Sequence, residues 1–321
     1  MVRPSGRPAA VAVGLLADRL LGEPPARVHP IAAFGSAMER VETAVWDDRR
    51  LLGALYAAAG VGGAWALGLL AETFLGESVA LGAAVALSSA ARSLTEAATA
   101  VSGCLDAGDV DRARRLLPAL VGRDPDGLDE GEIARAVVES LAENLSDAVV
   151  ATALWGLLAG APGALAHRAA NTLDAMVGHR GPRYGRFGWA SARLDDLLGW
   201  PAARLTALLV ALSTPRRLTP IFRACSVQAP GHPSPNAGVA EAAFAAALDV
   251  RLGGTNRYGD RIEVRPGLGS GELPKPADIA RAVTLVRRTV ALAEALLVGV
   301  ALAAAIRRTE REGRVILETR R

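Results

Sequence analysis

Four stretches of the chain carry almost no charge. Leu51 to Ala71 is uncharged for twenty-one residues and Ala148 to Ala166 for nineteen. Thr73 to Ala91 carries only Glu77, and Thr289 to Ile306 only Glu294. Pro201 to Thr214 is shorter and holds Arg204. A helix needs about 20 mostly apolar residues to cross the core of a bilayer. A soluble helical protein can bury one such helix, but four or five in one chain require a membrane. Strand signals are weak and confined to "DRIEVRP". The expected fold class is therefore all-α. It is a multi-pass integral membrane protein with about four to five hydrophobic helices and long polar segments, in a single domain over residues 1–321.

The flanking charges give a partial topology. Arg49 and Arg50 precede the first long segment, Arg92 follows the second, and the turn from Glu72 to Gly76 has no Lys or Arg. By the positive-inside rule that pair is a hairpin with both ends cytoplasmic, and Arg307 and Arg308 place the end of the last segment there too. Ala148 to Ala166 breaks the pattern, because charged stretches flank it on both sides. It also contains Gly156, Gly160, Pro162 and Gly163. Broken helices are tolerated at membrane depth where protein buries them, so a buried or re-entrant segment removes the conflict. Near the N-terminus, the apolar run Ala9 to Ala17 resembles a signal peptide. Asp18 and Arg19 follow with no cleavage site before them, which predicts a retained helix.

Hydrophobic residues make up 51% of the chain but aromatics only 4%, so Leu, Ala, Val and Gly supply the apolar surface. The net charge is +3, and no basic stripe is interleaved with aromatics. Nucleic-acid binding is not expected. Lys275 is the only lysine, a bias that reflects GC-rich codons. Cys104 and Cys225 fit neither a disulfide framework nor a zinc site.

Polar chemistry is concentrated in a few motifs. In "VVESLAENLSDAVV" Glu139, Glu143 and Asp147 lie four residues apart, with Asn144 beside them. On a helix they drift slowly around one face, and such like charges repel by a few tenths of a kcal/mol per pair. A solvated acidic face is the plain explanation. The apolar run starts at Ala148, however, so these acids lie at the membrane surface, where oxygen ligands suit a hard cation such as Mg²⁺. "NTLDAMVGHRGPRYGRFGWASARLDD" collects Asn171, Asp174, Arg183, Tyr184, Arg193, Asp195 and Asp196. Carboxylates for a metal beside arginines for phosphate make a nucleotide-site composition, although surface ion pairs use the same residues. "HPSPNAG" offers His232, Ser234 and Asn236, and "GEPPARVHP" offers Glu23 and His29. For each histidine a structural hydrogen bond competes with catalysis. The Pro- and Gly-rich stretch from Ser226 to Pro276 is long for a connection and predicts a binding loop. No Walker loop, dinucleotide fingerprint, zinc-protease motif or nucleophile elbow is present.

Together, "DRLLGEPPARVHP", "GRDPDGLDEGEIARAVVESLAENLSDAVVA", "NTLDAMVGHRGPRYGRFGWASARLDD", "PGHPSPNAG" and "RLGGTNRYGD" resemble the CobD/CbiB family of adenosylcobinamide-phosphate synthases. They occur in the family's order over a core of about residues 12–291. Gly199 departs from the pattern, where the family usually has Asn, and so does Val239, where an aromatic is common. The resemblance implies a membrane ligase that joins adenosylcobyric acid to (R)-1-amino-2-propanol phosphate, or to the free alcohol, using ATP and Mg²⁺. It also implies a cell-membrane location with a cytoplasmic site, and late enzymes of the same pathway as candidate partners. Within this frame Glu139, Asn144, Asp174 and His232 are expected to be catalytic, and Glu143, Asp147, Asp195 and Asp196 to hold metal. Glu23, His29, Arg123, Asn171 and Arg183 are expected to bind substrate or nucleotide, as are Tyr184, Arg193, Ser234, Asn236 and Asn256. Two rivals are a non-catalytic membrane sensor like the family's AmpE relatives and a transporter. The joint presence of these polar residues argues against the first, and the lack of an internal repeat argues against the second.

Overall fold

The computed structural model describes residues 6–179, 181–259 and 261–318. Their regular structure is helical apart from one two-stranded antiparallel sheet, as expected. Five helical stretches are long and apolar enough to cross a membrane. One apolar core cluster runs from Ala10 to Val290. Beyond it, α3 (Arg50–Leu75) turns Leu51, Leu55, Leu67, Leu70 and Phe74 outward, and the last helix, α12 (Pro276–Glu318), exposes Leu296, Val300, Leu302 and Ile306. Exposed apolar surface this continuous is untenable in water, and a bilayer covers it.

The first hairpin forms as its charges predict. α3 turns into α4 (Glu77–Ser88) through Gly76, whose φ of 78° suits glycine. The second apolar segment is not one straight helix. It breaks after Ser88, and α5 (Ala91–Asp106) begins a new axis. Asp18 of α1 (Arg7–Leu21) accepts hydrogen bonds there from the Ala91 N–H at 2.9 Å and the Ser89 hydroxyl at 3.2 Å. The acid that ended the N-terminal apolar run thus satisfies a free donor at a helix start.

The third apolar segment doubles back. α7 (Glu130–Asn144) opens on a capping box between Asp129 and Glu132 and passes through a π turn, Leu145–Val150, into α8 (Ala151–Val177). Within α8, Gly160 has φ 72° and ψ −158°, a glycine conformation, and Pro162 follows. A Cβ on Gly163 would lie 2.4 Å from the carbonyl oxygen of Trp155. In a straight helix those residues would be about 12 Å apart. Asp147 likewise interacts with Arg168 and Asp174, although a straight helix would put Asp174 about 40 Å away. α8 is therefore a re-entrant hairpin with its apex at Gly160, and its two ends share one side. This geometry removes the topological conflict in the sequence. Two charged side chains serve backbone groups at the apex: the Ala161 N–H donates to Glu72 at 2.9 Å, and Arg7 donates to the carbonyl oxygens of Leu157 and Leu158. Arg7 is fixed in turn by Glu77 at 2.7 Å. The returning leg packs tightly on α3, where a Cβ on Gly68 would meet Pro162 at 2.4 Å.

One inference from flanking charge does not hold. α12 starts in the polar body, pairs Glu294 with Arg19 at 2.9 Å, and continues antiparallel to α1. Arg307 and Arg308 therefore lie toward the Arg7 and Gly76 end, away from the polar segments. Their position follows from the packing of α12 on α1. Cysteines at Gly76 and Arg307 should accordingly react with an impermeant maleimide from one face of the membrane, and cysteines at Glu130 and Arg186 from the other. Labelling of Glu130→Cys and Arg186→Cys from opposite faces would rule out the re-entrant hairpin.

The stretch expected as a long binding loop is largely structured. It folds into α11 (Ala237–Leu248) and a hairpin of β1 (Leu252–Tyr258) and β2 (Arg261–Leu268). Only β2 was legible, because the glycines of β1 mask it. The remaining helices are α2 (Pro30–Val45), α6 (Val110–Leu116), α9 (Trp189–Ser213) and α10 (Leu218–Val227).

Candidate functional site

Both legs of the α8 hairpin return to the start of α9, and this meeting point gathers the acids. Asp147 interacts with Asp195, Glu143 and Asp174; Asp195 in turn interacts with Asp174, Asp196 and Glu143. All four expected metal ligands and the expected catalytic Asp174 thus share one electrostatic neighbourhood. Solvent reaches Glu143 although protein surrounds it on all sides, as in the wall of a deep crevice. Asn171 joins the group by donating to Asp195 at 3.3 Å, and its own oxygen accepts from Arg168 at 3.2 Å. Arg168 also interacts with Glu23, which brings the N-terminal motif to the same place. Among the described residues, no three His, Cys, Asp or Glu side chains converge closely enough to ligate one ion.

Glu139 faces a different environment. Its carboxylate accepts from Arg123 at 2.6 Å, from Arg135 at 3.2 Å and from the Gly253 N–H at 2.8 Å. Both arginines also donate to Asn256. Every member is buried. Burial pushes the Arg123 guanidinium down while Glu139 pulls it back up. This network pins the β-hairpin to α7. Glu139 is expected to be catalytic, but its oxygens are taken up by protein donors, as are the side chains of Arg123 and Asn256 expected at substrate.

A cleft of about 600 Å³ adjoins the acidic group through Asp196. His179, Trp189, Arg193, Arg204 and His232 line it. His232 Nδ1 lies 3.1 Å from the N–H of Ser234, and Nε2 lies 3.7 Å from Glu241. Burial pushes its imidazole below the usual range, so it is neutral at pH 7. Ser234 accepts from the N–H groups of Asn236 and Ala237 at the start of α11. Asn236 donates to the Asp196 carbonyl at 2.8 Å and accepts from Arg204 at 3.2 Å. A Cβ on Gly199 would lie 2.7 Å from the Asn236 amide, so glycine there makes room for this bridge.

Other expected residues lie elsewhere or turn inward. Asn144 donates back to Ser140 on its own helix at 3.0 Å. His29 caps α2 by accepting from Ile31 at 3.2 Å. Arg183 and Tyr184 both donate to Glu42 of α2 at 2.9 Å, and Arg183 stacks over Trp46. These two fasten the loop before α9 to α2.

A family model described as "CobD/Cbib protein" matches residues 11–286. The chain belongs to the CobD/CbiB family. The "Cobalamin biosynthesis protein CobD" of Mycobacterium tuberculosis is 45% identical over 287 residues, 88% of this chain and 91% of the relative. That of Rhodobacter capsulatus is 44% identical over 297 residues, covering 88% and 92%. That of Chromobacterium violaceum is 45% identical over 306 residues, covering 89% and 96%. No solved structure matches the chain.

In this CobD/CbiB chain, sequence reasoning missed Arg168, Arg135, Arg265 and Glu241. Arg168 closes the uncharged run of α8, and its Nε is buried without a partner. Glu241 had a visible signal, as the lone charge in the apolar helix "AGVAEAAFAAAL". It is wholly buried behind His232, with Arg265 at 3.5 Å. Burial raises its carboxyl well above the usual range, helped by repulsion from Glu139 and Glu143. The unfolded chain ionises Glu241 near its ordinary value of about 4.5, and the folded chain resists. Stability from this group is complete below that pH and is lost as pH rises through the higher folded value. Glu241→Gln should therefore gain thermal stability over wild type progressively from pH 5 to pH 8. A difference that stays flat with pH would mean that Glu241 is ionised in the fold.

Proposed function

We propose that this chain is an ATP- and Mg²⁺-dependent amide ligase that joins adenosylcobyric acid to (R)-1-amino-2-propanol phosphate, or to the free alcohol. The observation that carries this reading is the convergence of five carboxylates and Arg168 beside a polar cleft containing Arg193. A carboxylate is a poor electrophile. Transfer of the γ-phosphoryl group of ATP to a corrinoid carboxylate gives an acyl phosphate and ADP. The amine, having lost one proton, attacks the acyl carbon and expels inorganic phosphate, leaving the amide.

The donor set fits Mg²⁺, which commonly takes one or two carboxylates and completes its shell with water and phosphate oxygens. Asp147 and Asp195, which interact across the π turn and α9, would hold it, and Glu143 and Asp196 belong to the same neighbourhood. The ion would neutralise charge on the transferring phosphoryl group. Arg168 and Arg193 would take up the remaining negative charge. Asp174, which interacts with Asp196, would accept the proton of the incoming ammonium. The cleft is the size of a nucleotide-like ligand, so the larger corrinoid would present only one edge to it. Glu139, Asn144 and His232 act here as supports, because each already faces protein. The site would face the cytoplasm, where ATP is available.

The test is ATP consumption by detergent-solubilised full-length protein. It should require both cobyric acid and aminopropanol phosphate and yield stoichiometric amide. ATP hydrolysis indifferent to either substrate, or no consumption with both present, would sink the proposal.

A further inference from the structure

A second cavity, of about 290 Å³, lies between α1, α5 and α12. Three arginines from three helices line it: Arg19, Arg92 and Arg287. Each stands where an apolar run begins or ends. Arg19 closes the run of α1, Arg92 follows Thr73 to Ala91, and Arg287 precedes Thr289 to Ile306. The cavity therefore sits at the depth where hydrocarbon gives way to headgroups. Two of the arginines are partly engaged. Arg19 pairs with Glu294 at 2.9 Å; Arg92 pairs with Glu96 at 2.7 Å and donates to the Leu20 carbonyl. Arg287 is exposed and has no partner among the described residues. The facing acids are Glu96, Glu294 and the buried Asp18, whose Oδ2 already accepts from the Ala91 N–H and the Ser89 hydroxyl, so Arg287 is the arginine left to meet a phosphate.

Apolar side chains continue from it along the outer surface. Leu16 and Leu20 of α1 and Val298 and Leu302 of α12 are all exposed. We propose that this cavity binds the phosphate headgroup of one anionic phospholipid, whose acyl chains lie along α1 and α12. A basic pocket between helices at the interface suits such a headgroup, and the exposed leucines and valine supply what a free phosphate ion would not use. Bound there, the lipid would tie α12 to α1 and α5, three elements that frame the body carrying the acidic site. The proposal does not depend on the reaction assigned to that site.

The test uses full-length protein stripped of lipid in detergent and titrated with dioleoyl phosphatidylglycerol or dioleoyl phosphatidylcholine. Native mass spectrometry reads retained lipid, and the thermal midpoint reads stabilisation. One phosphatidylglycerol should be retained with roughly tenfold preference over phosphatidylcholine. Arg287→Gln should remove that preference, and its exposed position leaves the fold intact. Arg288→Gln, which deletes the same charge one residue away and outside the cavity, should retain it. Equal loss in both variants would reduce the effect to general attraction and overturn the proposal. Equal retention of phosphatidylcholine would do the same. Stabilisation by glycerol 3-phosphate alone to the level reached by the lipid would show a soluble-phosphate site instead.

Discussion

Asp147→Asn and Asp195→Asn should each abolish most amide formation while raising thermal stability. The two acids sit on opposite elements, the π turn and α9, yet repel each other within one crevice. Removing one charge relieves that repulsion, so the fold gains. Turnover loses a group placed to organise the phosphoryl donor, and losing one such group typically slows a reaction by about 10²-fold or more. Glu143→Gln should cost less, about tenfold, because water reaches Glu143 and can take its place. The measurement is product formation across a Mg²⁺ titration, alongside thermal midpoints in the same detergent. Partial recovery at high Mg²⁺ would support a metal role. Near wild-type rates in both aspartate variants would return this helix to a plain acidic surface.

The largest loss of stability should come from Arg123→Ala. It leaves Glu139 with Arg135 and the Gly253 N–H only, and the Asn256 oxygen with Arg135 only, in a site closed to water. Breaking one partner out of a buried ionic group costs about 3–5 kcal/mol. Replacing Arg123, Arg135 and Glu139 together with Met, Met and Leu should recover part of this, since no charge is then left unpaired. The β-hairpin should loosen before the helices melt, because Arg135 and Glu139 hold its Gly253 end. Limited proteolysis within residues 252–268 would report that. A single cooperative transition with an unaltered midpoint in Arg123→Ala would show that the network contributes little.

The helical architecture was legible because uncharged length is a local property. The Gly76 turn, the Asp129 cap and the retained N-terminal helix all follow from residues next to them. The doubling back of α8 was legible only as a conflict between flanking charges. What resolves it, Glu72 and Arg7 meeting the apex, joins residues about ninety and a hundred and fifty positions apart. At the site the acids were visible as a group because they cluster in two motifs. Their division into roles was not, because Glu139 and Glu143 share one helix face in sequence and differ only in what packs over them. Glu139 lies under the β-hairpin, while Glu143 opens into the crevice. Arg183 and Tyr184 show the same limit: a nucleotide-like composition is also what fastens a loop, and Glu42 decides between the two.

The apex of the α8 hairpin has a consequence for how the chain enters the membrane. Around Gly160 the backbone bares an N–H and carbonyls that lipid cannot satisfy. Their partners, Glu72 and Arg7, precede it in the chain and are made before it. The hairpin is therefore stable in lipid only beside helices already inserted, so synthesis from the N-terminus supplies the scaffold before the broken segment leaves the ribosome. Glu72→Leu should consequently delay protease protection of the nascent hairpin during cell-free synthesis into membranes, even if the finished chain is recovered. Unchanged timing would mean that the segment enters independently of α3. Insertion order, in this view, is written into which residue caps a helix break.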